Sequence, residues 1–178
     1  MTSRARVVLP VRWSDIDLFG HVNNAAFLRF LDDARFAAFP LMGVDGSGTV
    51  TDAVLVVVKN EIDYLAPVPF TPDPLAVEVW VSRVGSSSVD FGYEVTGGAS
   101  DRGTPVGAGS DDATPDAAAP DGAAPDGATR AREPRTYLLA RSRMVQVDRA
   151  SGRPQPFTED ERAVLAAHTD AEPVLRGW

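Results

Sequence analysis

The chain has 178 residues, 44% of them hydrophobic, which suits one globular domain with a real core and leaves no room for two large ones. It contains no cysteine, so disulfides, thiolate nucleophiles and Cys-ligated metals are excluded. A formal net charge of −8 argues against generic nucleic-acid binding, which needs basic patches to neutralise phosphates.

Residues Met1–Pro10 lack the unbroken apolar run of a signal peptide, and no later segment is long and apolar enough to span a bilayer. A cytoplasmic protein without membrane attachment is the expectation. The run Arg4–Arg12 is rich in Val and Leu and reads as a first strand, with Pro10 favouring an edge or a strand end. Ser14–Val22 is polar, contains Gly20 and reads as a loop.

A long helix is expected from Asn23 or Asn24, because an asparagine side chain is a good acceptor for a first-turn amide. Phe27, Phe30, Leu31, Ala34 and Ala38 then recur at helical spacing on one face, while Arg29, Asp32 and Asp33 fall opposite. Phe39-Pro40 and Gly43 are expected to stop it.

Three strands are expected next, over Ala53–Leu65, Leu75–Val84 and Ser87–Thr96. The last places Val89, Phe91, Tyr93 and Val95 on one face. Gly85-Ser86 marks a hairpin between the second and third of these. Pro67, Pro69, Pro72 and Pro74 make the preceding connection stiff and non-helical. From about Ala99 to Pro134 the composition shifts to Ala, Gly, Pro and Asp, with Pro-Asp at residues 115, 120 and 125. Such a segment cannot bury enough apolar surface to offset its ordering entropy, so residues 99–134 are expected to be a disordered insertion between two strands of a single domain spanning 1–178. Strand character resumes at Arg135–Asp148. Ala150–Gly152 is a turn, and Thr158 with Glu161 forms a capping box that opens a short helix to about His168. The order gives an α+β class, an antiparallel sheet against one long helix.

The densest chemistry lies at the entrance to the long helix, W-S-D-I-D-L-F-G-H-V-N-N from Trp13 to Asn24. A carboxylate there can attack a carbonyl or activate water, and first-turn amides can stabilise the resulting oxyanion. Asp15 and Asp17 are equally readable as loop aspartates closing Asx-turns.

From Arg12 to Arg35 the chain resembles the hotdog-fold thioesterase superfamily, specifically the 4-hydroxybenzoyl-CoA thioesterase-like acyl-CoA hydrolases. The resemblance continues through E-I-D-Y-L-A-P-V at Glu61–Val68, D-P-L-A-V-E-V-W-V at Asp73–Val81, V-G-S-S-S at Val84–Ser88 and V-D-R-A-S-G-R-P at Val147–Pro154. It implies a sheet curled around one long central helix, subunits paired edge to edge as a homodimer or dimer of dimers, and an acyl-CoA substrate. It also implies hydrolysis to free acid and CoA, with Asp17 as nucleophile or general base.

On that basis the candidate catalytic residues are Asp17, His21 and Asn24, with Gly20, Asn23 and Ser87 as substrate-binding residues. Gly20 is expected to let a substrate approach the loop backbone. His21 reads either as a polar group facing substrate or as a brace for the loop. Phe19 stands where related plant acyl-carrier-protein thioesterases carry Asn, which weakens an Asn–His relay. Asp15 is expected to be structural, and Asp32 and Asp33 to lie on a solvated or ion-paired face with Arg29 or Arg35, Asp33 being a lesser candidate for a second carboxylate. Arg83, Arg141 and Arg143 are candidates for the phosphates of CoA. No metal or other cofactor is expected, since His21 and His168 lack ligand spacing. The alternatives are a hotdog hydratase or dehydratase acting on enoyl or hydroxyacyl thioesters, and a non-catalytic acyl-CoA-binding module.

Overall fold

The computed structural model describes residues 4–42, 53–97 and 135–176. The expected stop at Gly43 and the expected insertion at 99–134 lie outside these residues. The described strands are β1 (Ala5–Leu9), β2 (Ala53–Tyr64), β3 (Leu75–Val84), β4 (Ser88–Gly97) and β5 (Arg135–Asp148), and the helices are α1 (Asn24–Leu41) and α2 (Glu159–Ala167). The strands form one sheet in the order β1-β3-β4-β5-β2, and every neighbouring pair is antiparallel. The class is α+β, as the element order implies.

β1 is shorter than expected, ending at Leu9, which pairs with Leu75 at the start of β3. Two prolines account for this. Pro10 has no N–H for the ladder, and Pro74 ends the partner strand at the same level. The β3–β4 hairpin is present, but its tip lies one residue later than expected: Gly85 donates to the Ser88 carbonyl at 2.7 Å, which puts Ser86 and Ser87 at the turn.

α1 begins as read. Asn23 is the N-cap and its side chain accepts from the Ala25 amide at 2.8 Å. Its C-terminal end differs, because Pro40 lies inside the last turn rather than ending the helix before it. The apolar stripe of Phe27, Phe30, Leu31, Ala34 and Ala38 is buried against the alternating inner residues of the sheet. These are Leu75, Val77, Val79 and Val81 of β3, Val89, Phe91, Tyr93 and Val95 of β4, and Leu138, Ala140 and Met144 of β5. The period of 3.6 on the helix and of 2 on the strands thus meet in one core.

Arg35 departs from the sequence reading. It pairs with Asp32, as expected, yet its side chain is 2% exposed and reaches the Tyr93 hydroxyl at 2.7 Å. Burial raises the Tyr93 phenol above its ordinary pKa.

The outer face of the sheet is also covered, which periodicity did not announce. After α2, Asp170 donates to the Val81 carbonyl at 2.9 Å and Val81 to that of His168 at 3.0 Å. The indole of Trp80 donates to the Ala171 carbonyl at 2.8 Å. Arg4 stacks 4.0 Å above the Trp80 ring and ties to Asp170 and Glu78. The C-terminal segment therefore straps the sheet from behind, leaving the region before α1 as the open end of the fold. No helix among the described residues is long and apolar enough to cross a membrane.

Candidate active site

The path from β1 to α1 is held by backbone hydrogen bonds together with the side chains of Asp15, Asp17 and Asn23. Trp13–Asp15 forms a single 3-10 turn, after which Ile16 and Val22 pair as an antiparallel bridge. Within that bridge Asp17 donates to the His21 carbonyl at 2.9 Å, and Gly20 donates to the Asp17 carbonyl at 3.0 Å. This is a three-residue hairpin loop of Leu18, Phe19 and Gly20, with Gly20 in the left-handed conformation at φ 77°. A side chain on Gly20 would meet nothing within 4 Å. The glycine is needed for its backbone angle and not for space.

Asp17 sits at the base of this hairpin. One carboxylate oxygen accepts from the Phe19 amide at 2.9 Å, the Asx-turn that the sequence also allowed. The other accepts no hydrogen bond from the described residues. The carboxylate is therefore held from one side and left with an unshared oxygen.

The tip of α1 supplies the complementary group. Of its first amides, Ala25 is taken by the Asn23 side chain and Ala26 by the Asn23 carbonyl at 2.9 Å. The Asn24 N–H has no acceptor among the described residues. The positive end of the helix dipole is thus concentrated on one free amide.

Asp17, Gly20, Asn23 and Asn24 line a single open cleft of about 900 Å³. Its remaining walls are Trp13, Ile16, Leu18, Phe19 and Phe70. Trp13 and Phe70 meet edge to face with ring centroids 5.5 Å apart. Both rings are substantially exposed, as are Leu18 and Phe19. Phe70 comes from the proline-rich connection before β3, which is docked by the Val22 amide donating to the Val68 carbonyl at 2.8 Å. Motif reading found the polar half of this cleft and missed the aromatic half. The one available signal was a phenylalanine left among prolines in the connection before β3.

Two expected site residues are placed elsewhere. His21 holds the hairpin through its carbonyl, but it does not line the cleft, and its ring makes no hydrogen bond to the described residues. Ser87 lies at the β3–β4 turn, at the opposite end of β3 from the cleft. Ten residues of strand separate them, about 30 Å at the usual rise. Its carbonyl accepts from the Gln146 amide at 2.8 Å. Asp33 is exposed nine residues along α1 from Asn24, about 14 Å from the helix tip.

The arginines expected to meet CoA phosphates are largely committed to acids. Arg143 holds Asp90 through two hydrogen bonds of 2.7 Å, and Arg141 pairs with Glu61 and Glu172. Hydrogen bonds from Lys59 and Arg141 hold the Glu61 carboxyl down at about 2. Arg83 is exposed. Among the described residues no group of three or more His, Asp or Glu side chains could hold a metal ion.

Comparison with known proteins places this geometry. The family model described as thioesterase-like superfamily matches residues 11–167. The chain belongs to that superfamily. A Bacillus subtilis (strain 168) protein, YsmA, is 33% identical over 86 residues, which are 48% of this chain and 56% of that protein. This chain therefore spans little more than half the length of that relative.

Among solved structures, the PA5185 protein of Pseudomonas aeruginosa PAO1 superposes with a TM-score of 0.66 at 24% identity, covering 95% of this chain and 94% of that one. A thioesterase of Thermus thermophilus, solved in complex with coenzyme A and Zn, superposes with a TM-score of 0.60 at 25% identity, covering 92% of each chain. The fold is the hotdog fold, a sheet wrapped on one long helix. The superfamily's matched span includes the cleft and both carboxylates before α1.

Proposed function

We propose that the protein hydrolyses an acyl-CoA thioester to a free acid and CoA at the cleft before α1. The observation that carries this reading is that Asp17 and the unpartnered Asn24 amide line one open cleft. Membership of the thioesterase-like superfamily names the bond, and the CoA complex of the Thermus thermophilus relative supports CoA as the thiol carrier.

In the step that follows, the thioester carbonyl oxygen accepts from the Asn24 N–H, and the helix dipole stabilises the charge that develops there. Asp17 then acts in one of two ways. Its unshared carboxylate oxygen attacks the carbonyl carbon, the C–S bond breaks, CoA leaves as thiolate, and water hydrolyses the mixed anhydride. Alternatively the carboxylate removes a proton from water as water attacks the carbonyl carbon, and the C–S bond then breaks to release CoA as thiolate. Both routes need an ionised carboxylate at residue 17, and ¹⁸O recovered in the protein after single-turnover hydrolysis in ¹⁸O-water identifies the first, because it requires water to attack the aspartyl carbonyl of the anhydride. His21, outside the cleft lining, takes the second of its two expected roles, the brace for the loop.

The acyl group enters against Trp13, Leu18, Phe19 and Phe70. Among the described residues, Asp17 is the one charged side chain lining the cleft. An uncharged, apolar acyl group fits this lining, and an acyl group ending in a carboxylate does not. A second copy completes the assembly along β2. That strand is twelve residues long, pairs only with β5 among the described strands, and exposes Val56 and Val58.

Thiol release across short, long, branched and aromatic acyl-CoAs tests the proposal. Turnover is expected with apolar acyl groups, and Asp17→Asn should lower kcat at least about a hundredfold while leaving folding intact. An unimpaired Asp17→Asn variant removes Asp17 from the chemistry. Absence of thiol release from the whole panel overturns the hydrolase reading.

A further inference from the structure

Asp15 lies two residues before Asp17 and is almost completely buried, at 1% exposure. A buried carboxylate must have its oxygens satisfied and its charge countered. Here Oδ2 accepts from the Arg12 amide at 2.9 Å, and Oδ1 accepts from Arg29 Nη2 at 2.6 Å. Its backbone carbonyl accepts from the Asn23 amide at 2.7 Å. One residue therefore joins three pieces of chain: the end of the β1 segment, the second turn of α1, and the N-cap of the same helix. The next residue, Ile16, opens the bridge whose far side is Val22.

We propose that Asp15 and Arg29 form a buckle that holds the Asp17 hairpin in register with the tip of α1, and that both are positioning residues for thioester hydrolysis. Neither lines the cleft. Asp17 and the Asn24 amide sit on separate elements, and the Asp15 connections bridge those elements directly beside the cleft. Loss of the guanidinium leaves a buried charge without its cation, and the hairpin must shift or open to let water reach it. Displacements of about 1 Å between reacting groups are enough to cost about a hundredfold in rate. Arg29 is a good place to test this because its side chain is 57% exposed on the helix surface, so its replacement does not disturb the core.

The kinetic part of this inference rests on the hydrolase reading above, and the exchange part does not. Arg29→Met keeps the aliphatic stem and removes the charged head, Arg29→Lys keeps the charge, and Asp15→Asn removes the charge from the other partner. The readouts are kcat and KM on the best acyl-CoA of the panel, the melting temperature, and backbone hydrogen exchange. For Arg29→Met and Asp15→Asn, kcat should fall about ten- to a hundredfold with KM within about twofold. Exchange should accelerate at the amides of Asp17, Gly20 and Asn23 and stay unchanged in β3, β4 and β5. Arg29→Lys should recover part of both effects.

An Arg29→Met variant with a normal kcat and normal exchange at those three amides overturns the proposal, whatever its melting temperature. Should Asp15→Asn fail to fold, Arg29→Met decides alone. Should the native protein hydrolyse no acyl-CoA, the functional reading fails and hydrogen exchange still decides the buckle.

Discussion

The Arg35 guanidinium donates to the Tyr93 hydroxyl at 2.7 Å across the packed face between α1 and β4. Both side chains are almost wholly buried, and a second guanidinium nitrogen holds Asp32 at the surface. A helix that lays an apolar stripe on a sheet has thus accepted one charge in the contact, paired at both ends. Tyr93→Phe should leave Nη1 without its acceptor in a site that water does not reach. The expected cost is about 1–3 kcal/mol, read as a lower midpoint in urea with an unchanged slope. Turnover per folded molecule should be unaffected, because Tyr93 does not line the cleft.

Gly20 tests the hairpin that carries Asp17. Its φ of 77° is a conformation that costs an L-residue roughly 1–2 kcal/mol. Gly20→Ala should be destabilised by about that amount and should lose activity, because the strained backbone is hydrogen-bonded directly to Asp17. Gly20→Asn should be milder in both respects, since asparagine tolerates the left-handed region. Equal loss for Ala and Asn, measured by thermal melts and thiol release, would show that the backbone angle is not the reason for glycine.

Gly92 answers to a different constraint. It pairs with Trp80 in the β3–β4 register, and a Cβ there would lie 2.4 Å from the indole ring. Gly92→Ala should cost about 1–3 kcal/mol through overpacking and shift the tryptophan fluorescence. Adding Trp80→Phe should return part of the loss, because the smaller ring vacates the space. Additive losses in the double variant would refute the steric account.

Glu61 gives a pH prediction. Lys59 and Arg141 hold its folded pKa at about 2, below the ordinary value of 4.5. The folded state therefore binds this proton less readily than the unfolded chain. Its contribution to stability is full above about pH 4.5 and is lost as pH falls toward 2. Glu61→Gln should flatten the acid limb of a stability-versus-pH curve over that window by lowering stability on the neutral side, with the two curves converging as pH falls toward 2. An acid limb of the same slope in both proteins would mean that Glu61 is not held by its two cations.

Much of the local structure was legible because it depends on neighbours in the chain. The Asn23 cap, the Thr158–Glu161 box, the α1 stripe and the alternation of β4 each report a geometry set within a few residues. The polar half of the cleft was legible for the same reason, since Asp17, Gly20, Asn23 and Asn24 fall within eight consecutive positions. The position of Ser87 was not legible, because serine in a strand turn carries no mark of which end of the sheet it will occupy. The pairing of Arg141 and Arg143 was not legible, because an arginine reads the same whether its charge is free or spent on Glu61 and Asp90.

By itself the sequence determined the element types, the buried faces of α1 and β4, and the presence of a carboxylate beside a helix start. Periodicity and capping are short-range, so a single chain of letters carries them. Only the tertiary structure decided that Phe70 and Trp13 would wall the cleft, and that Arg35 would be buried under α1. It alone placed residues 168–172 across the back of Trp80 and made Asp15 the junction of three segments. The Phe70, Arg35 and Trp80 contacts depend on segments far apart in the chain coming within hydrogen-bond or ring-contact distance, and the Asp15 junction on a turn closing over residues 12–29. That is settled by packing and by the need to pair buried polar groups, which no local pattern encodes.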